Sequence, residues 1–155
     1  MKGHIPPIAD ILSHRGTMLW QDAVLSHDDT RAICRYRIPE NGWFVDAEGA
    51  MPAWLGIEVM AQAIAAHVAM RAIRLGLPPK RGALLGSRDF TSHCSAFPAG
   101  STLLTTVDME FRDESGLGAY QCSIRIGDAE VASAKLKVYE PDDFEQFLAA
   151  GSQHS

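Results

Sequence analysis

The chain has 155 residues, 46% of them hydrophobic and 21% charged, with a net charge of −5. That length suits one domain with a core of its own, and the acidic balance offers no basic face to nucleic acid or to an anionic membrane surface. Cys34, Cys94 and Cys122 show no CxxC pair and no metal-ligand spacing, so each is expected to act as a small buried hydrophobe in a reducing, cytoplasmic compartment.

The N-terminal MKGHIPPIADIL has no apolar run of signal-peptide length. Pro6 and Pro7 can open a short helix over residues 8–13, which His14-Arg15-Gly16 breaks. Residues 17–26 read as a strand. Residues 31–38 alternate, with Ala32, Cys34, Tyr36 and Ile38 on one face and mostly arginine on the other, the pattern of a half-buried strand. PENGWFVDAEGAMPA, residues 39–53, carries turn residues without a period and reads as a loop.

A long helix is expected over about 54–75, ending at Gly76, with Arg71 and Arg74 in the last turns where cations are favoured and Pro78-Pro79 forbidding continuation. Strands follow. The first covers 83–90. The next, 102–112, sets Leu103, Val107, Met109 and Phe111 against Thr106, Asp108, Glu110 and Arg112. DESG at 113–116 makes a turn; Tyr120, Cys122, Ile124 and Ile126 then mark a strand, Gly127-Asp128 turns again, and Ala132, Ala134, Leu136 and Val138 line the last. DDFEQFLAA suggests a short terminal helix, and residues 151–155 should fray. The order predicts a single α+β domain, in which a curved antiparallel sheet wraps a helix that is apolar on nearly every side.

That helix contains Glu58, Gln62 and His67, which argues against a membrane span. An ionised carboxylate among apolar neighbours loses hydration worth on the order of several kcal/mol unless something compensates. Glu58 is therefore either at an exposed helix edge or held for use, and Gln62 shares its face at i, i+4.

PAWLGIEVMAQA at the helix start, ILSHRGTMLWQDAV near the N-terminus and FPAGSTL at 97–103 resemble the hot-dog-fold β-hydroxyacyl acyl-carrier-protein dehydratases. More narrowly, the chain is similar to the accessory dehydratase-like proteins of aryl-polyene pathways. The resemblance implies a dimer with joined sheets and sites at the subunit interface. It also implies acyl-carrier protein as partner, its phosphopantetheine arm delivering the acyl chain to a tunnel beside the helix, with no other cofactor. In that family a histidine of one subunit takes the C2 proton and a helix carboxylate of the other protonates the leaving C3 hydroxyl. Glu58 matches the carboxylate and Gln62 the glutamine one turn on.

One position departs: Phe44 stands where the family has its histidine, and Pro52-Ala53 replaces its Pro-Gly. Two consequences are expected. The protein is either a homodimer with a substitute base or one half of a heterodimer whose other hot-dog subunit carries the histidine. Among substitutes, Asp46 and Glu48 are weak bases for C2 of a thioester, and His14 belongs to a segment the family keeps for structure. His93, just before a turn that should approach the tunnel, is the preferred candidate. N–H groups from Ala53 to Gly56 are expected to polarise the thioester carbonyl, and Trp43, Phe44 and Trp54 to line the tunnel. His67 reads as a satisfied core or interface residue. A thioesterase with Glu58 activating water or attacking the thioester, and a non-catalytic acyl-binding subunit, remain alternatives. No metal spacing or glycine-rich phosphate cradle appears.

Overall fold

The computed structural model describes residues 4–78, 82–141, 146 and 148–150. The tail at 151–155, expected to fray, lies outside the described residues, as does Pro79; of the expected terminal helix, residues 146 and 148–150 are described and helical.

A short helix α1 (Ile8–Ile11) is followed by strands β1 (Ala23–His27) and β2 (Arg31–Arg37), the short β3 (Ala50–Pro52) and a 3-10 turn (Ala53–Leu55) that runs into helix α2 (Gly56–Leu75). Strands β4 (Ala83–Ser92), β5 (Ala96–Pro98), β6 (Thr102–Arg112), β7 (Leu117–Ile126) and β8 (Ala129–Tyr139) complete the chain. Six strands form one sheet in the order β1-β2-β6-β7-β8-β4, every pair antiparallel. β3 and β5 pair separately.

Helix α2 lies on one face of this sheet. Val59, Met60, Ala63, Ile64, Ala66 and Met70 are buried against Cys34, Leu103, Val107, Cys122, Ile124 and Leu136 of the strands. Each large aliphatic side chain so buried stabilises the fold by about 1.5–3 kcal/mol before chain entropy is counted. The helix stops where expected. Gly76 takes φ 68°, its N–H and that of Leu77 return to the carbonyls of Ile73 and Ala72, and the left-handed residue ends the helix at no Cβ cost.

The stretch Ala53–Leu75 is long and apolar enough to cross a membrane, at a mean hydropathy of 1.4, but 61% of that apolar window is buried inside the protein. The cover is not complete on every side, contrary to the expectation from its composition. Ala61, Ala65 and Val68 are only partly buried.

Three other expectations need correction. The strand expected over 17–26 begins only at Ala23, after a 3-10 turn at Gly16–Met18. The backbone just before it is taken by Gln62, which binds the Met18 carbonyl and the Trp20 N–H. In β6 the pairing with β7 shifts between Met109 and Phe111. Such a bulge reverses the faces, so Phe111 is 49% exposed instead of inward. The stretch read as loop contains β3, whose Met51 is buried opposite Phe97 of β5, a ladder too short to show a period.

Candidate active site

Gln62 organises the site. It is 1% exposed; its Nε2 donates to the Met18 carbonyl at 2.8 Å and to Glu58 Oε1 at 3.1 Å, and its Oε1 accepts the Trp20 N–H at 2.7 Å. Gln21 adds a bond from its Nε2 to the Val59 carbonyl at 2.8 Å. One buried amide thus fastens the N-terminal segment to α2 and turns the Glu58 carboxylate toward it. Arg15 secures the same segment from the other side, donating to the carbonyls of Leu12, His14 and Ala9.

Held in this way, His14 places its Nε2 3.9 Å from Glu58 Oε1. That is ion-pair distance, too long for a direct hydrogen bond. The two side chains are 32% and 40% exposed. His14 Nδ1 is buried and has no hydrogen-bond partner among the described residues.

Behind the pair lies a cavity of about 200 Å³. Ala61, Ile64, Ala65 and Val68 of α2 form one wall, and Leu84 and Val138 stand on the strands opposite. The small side chains of α2 make the space, and Glu58 and His14 are its polar members on the helix side. A second carboxylate also lines it: Glu140, 2% exposed. One of its oxygens pairs with Arg112 and Oε2 is buried without a partner among the described residues. The backbone beside it is tight, because a Cβ on Gly116 (φ +98°) would lie 2.1 Å from the Glu140 carbonyl oxygen.

The other expected site residues lie elsewhere. The Ala53 N–H is bonded to the Ser95 carbonyl at 3.0 Å, and the Gly56 N–H turns back to the Ala53 carbonyl. Neither is free to polarise a thioester in the chain as folded. Gly56 serves close contact instead, since a Cβ there would stand 3.2 Å from Ile124 Cδ1. Trp43 and Phe44 join Trp20 in an aromatic cluster with ring centroids 5.1–6.1 Å apart. Phe44 is buried, while Trp43 and Trp54 are 61% and 67% exposed. None of the three lines the cavity.

His93 is exposed on the turn between β4 and β5, where its N–H bonds the Val131 carbonyl at 2.9 Å; it too is not among the cavity's walls. Asp46 is occupied in its own loop, Oδ1 accepting the N–H groups of Glu48 and Ala50. The structure therefore brings together Glu58 and Gln62, as expected, and adds His14 and Glu140. Glu140 had no local signal, because its partner Arg112 lies on the far side of two strands, β7 and β8, and the turns before them.

His67 is a satisfied core residue, as read. Its Nε2 donates to the Asp28 carbonyl at 3.1 Å and its Nδ1 accepts from Tyr120 Oη at 3.0 Å, and burial pushes its pKa below the ordinary imidazole value. Cys34 and Cys122 are buried, their thiols pushed up to about 12 by desolvation. Cys94 is only partly buried, which corrects the expectation of three buried thiols. Among the described residues no group of three His, Cys, Asp or Glu side chains could hold a metal ion.

A central helix laid on a six-stranded antiparallel sheet, with a carboxylate at its opening turn beside an apolar cavity, is the hot-dog architecture. The profile of the ApeP-like family, described as ApeP dehydratase, matches residues 6–149, and the chain belongs to that dehydratase family. No curated protein sequence matches it significantly. Among solved structures it is similar to the dehydratase heterocomplex ApeI:P of Xenorhabdus doucetiae (24% identity, 95% of this chain and 99% of that one, TM-score 0.87). It is also similar to the sigma28-regulated virulence protein Cj0977 of Campylobacter jejuni (13%, 87% and 95%, TM-score 0.67). A third is a hypothetical thioesterase of Streptococcus pneumoniae solved with coenzyme A (13%, 76% and 83%, TM-score 0.59). At these identities the likenesses speak to the fold alone.

Proposed function

We propose that the protein is a dehydratase component that converts a 3-hydroxyacyl thioester on acyl-carrier protein to the trans-2-enoyl thioester, with Glu58 as proton donor. The observation that carries this reading is the Glu58 carboxylate, held by Gln62 at the side of an apolar cavity of about 200 Å³. Elimination of water needs a base at C2 and an acid at the C3 hydroxyl. The C2–H electron pair becomes the double bond, the C3–O bond breaks, and the oxygen leaves as water with the proton of Glu58. The Ala61–Ala65–Val68 face would take the start of the acyl chain. The partly exposed carboxylate leaves the thioester end toward solvent, where a phosphopantetheine arm would arrive. On this reading no other cofactor is required, and the chemistry suits a cytoplasmic protein.

A second hot-dog subunit belongs to the proposal. β4 is an edge strand next to the cavity, with Leu84 and Leu85 41% and 50% exposed, and an unpaired apolar edge is a template for strand pairing. The similar protein of Xenorhabdus doucetiae is described as part of a heterocomplex. The loss of the family histidine at Phe44 favours a heterodimer over a homodimer. The test is to incubate the protein with a 3-hydroxyacyl-carrier protein, alone and with a histidine-bearing hot-dog partner, and to follow the acyl mass. Loss of water is expected. Release of the free acid would make it a thioesterase, and an unchanged acyl chain under both conditions would leave only a binding role.

A further inference from the structure

The geometry points to His14 as the base that works with Glu58, a catalytic pair contained in one chain. The inference rests on the dehydratase reading above and places within this chain the base that a histidine-bearing partner would otherwise supply. Three observations support it. His14 Nε2 faces Glu58 Oε1 at 3.9 Å, and both line the same apolar cavity. His14 is held there by two independent anchors, the Arg15 guanidinium on three carbonyls and the Gln62 amide on Met18 and Trp20. Its Nδ1 is buried without a partner among the described residues, as His27 Nδ1 is too, but of the two only His14 lies on the cavity with Glu58, where that desolvation cost falls on a group beside the carboxylate.

Two other histidines, His67 and His93, do not compete. His67 uses both ring nitrogens in the core, and His93 is exposed on a turn away from the cavity. Phe44, at the position of the family histidine, is buried in an aromatic cluster with Trp20 and Trp43.

The separation suits the reaction. The proton to be removed and the hydroxyl to be protonated sit on adjacent carbons, and a syn elimination needs an acid and a base that are close neighbours, as His14 and Glu58 are. His14 Nε2 takes the C2 proton, the freed pair forms the C2=C3 bond, the C3–O bond breaks, and the oxygen takes the Glu58 proton and leaves as water. This leaves His14 protonated and Glu58 ionised. Return of that proton from Nε2 to Oε1 restores both groups, and no other reactant is consumed.

The test compares wild type, His14→Asn and His14→Gly in dehydration of a 3-hydroxyacyl-carrier protein. Each is assayed alone and in complex with a hot-dog partner whose own helix carboxylate has been replaced, with thermal melting of each variant as the check on folding. His14→Asn should lower kcat by about 100-fold or more, with KM changed less than about threefold and the melting temperature kept. Added imidazole should restore part of the rate of His14→Gly but not of His14→Asn. A wild-type rate with His14→Asn at threefold or less below it would overturn the assignment while leaving the dehydratase reading intact. Loss of rate accompanied by unfolding, with no rescue of a folded His14→Gly, would make His14 structural and also overturn it. Wild type inactive both alone and in complex would remove the dehydratase reading, and this inference with it.

Discussion

Gln62 satisfies three polar groups at once, and two of them, the Met18 carbonyl and the Trp20 N–H, belong to backbone that has no ladder partner there. Gln62→Leu keeps the apolar volume and leaves those groups unpaired. It should destabilise the fold by about 2–3 kcal/mol, read from urea unfolding, and should release the segment carrying His14 from Glu58. A loss below about 0.5 kcal/mol, the range of ordinary surface changes, would mean that Arg15 and Gln21 hold the segment without it. His67 gives a second residue-level expectation. Burial lowers its pKa in the folded chain, while the unfolded chain titrates near 6.5. Below about pH 6.5 the unfolded state therefore binds a proton that the folded state refuses, and stability falls as pH falls, by at most about 1.4 kcal/mol per unit. Above that pH the contribution is constant. The difference in unfolding free energy between pH 7.5 and 5.5 should shrink in His67→Gln, which removes the titrating ring; equal differences would show that other groups set the acid sensitivity.

At the level of elements, the helix was the most legible part of the sequence and the entrance to it the least. The apolar run, Gly76 and the prolines are local signals, and α2 ends where they place it. The alternation of β2, β7 and β8 was equally plain. What failed was non-local. The backbone of residues 18 and 20 is claimed by Gln62, more than forty positions away, and no window along the chain contains both partners. The bulge at Met109/Phe111 likewise depends on β7. Glu58 and Gln62 were readable because they share a helix face; His14 and Glu140 join them only through tertiary contacts, from α1's end and β8's end. Exposure of β4 leads to a test at this scale. Leu85 is 50% exposed on that edge, so Leu85→Lys should cost less than about 0.5 kcal/mol in stability yet shift the assembly toward single chains in light scattering. An unchanged mass would place any subunit contact on another surface.

For the molecule as a whole, the fold and family follow from agreement between pattern, architecture and the match over residues 6–149, whereas the proposed chemistry is tested first at Glu58. Glu58 is partly exposed, fixed by a buried amide and set beside an apolar cavity, an arrangement that a merely solvated helix-edge glutamate has no need of. The most direct measurement is the acyl mass of a 3-hydroxyacyl-carrier protein after incubation with wild type and with Glu58→Gln, each in its active assembly. The account predicts loss of water with wild type and a rate lower by about 100-fold or more with Glu58→Gln at unchanged melting temperature. Dehydration by Glu58→Gln at the wild-type rate would contradict it.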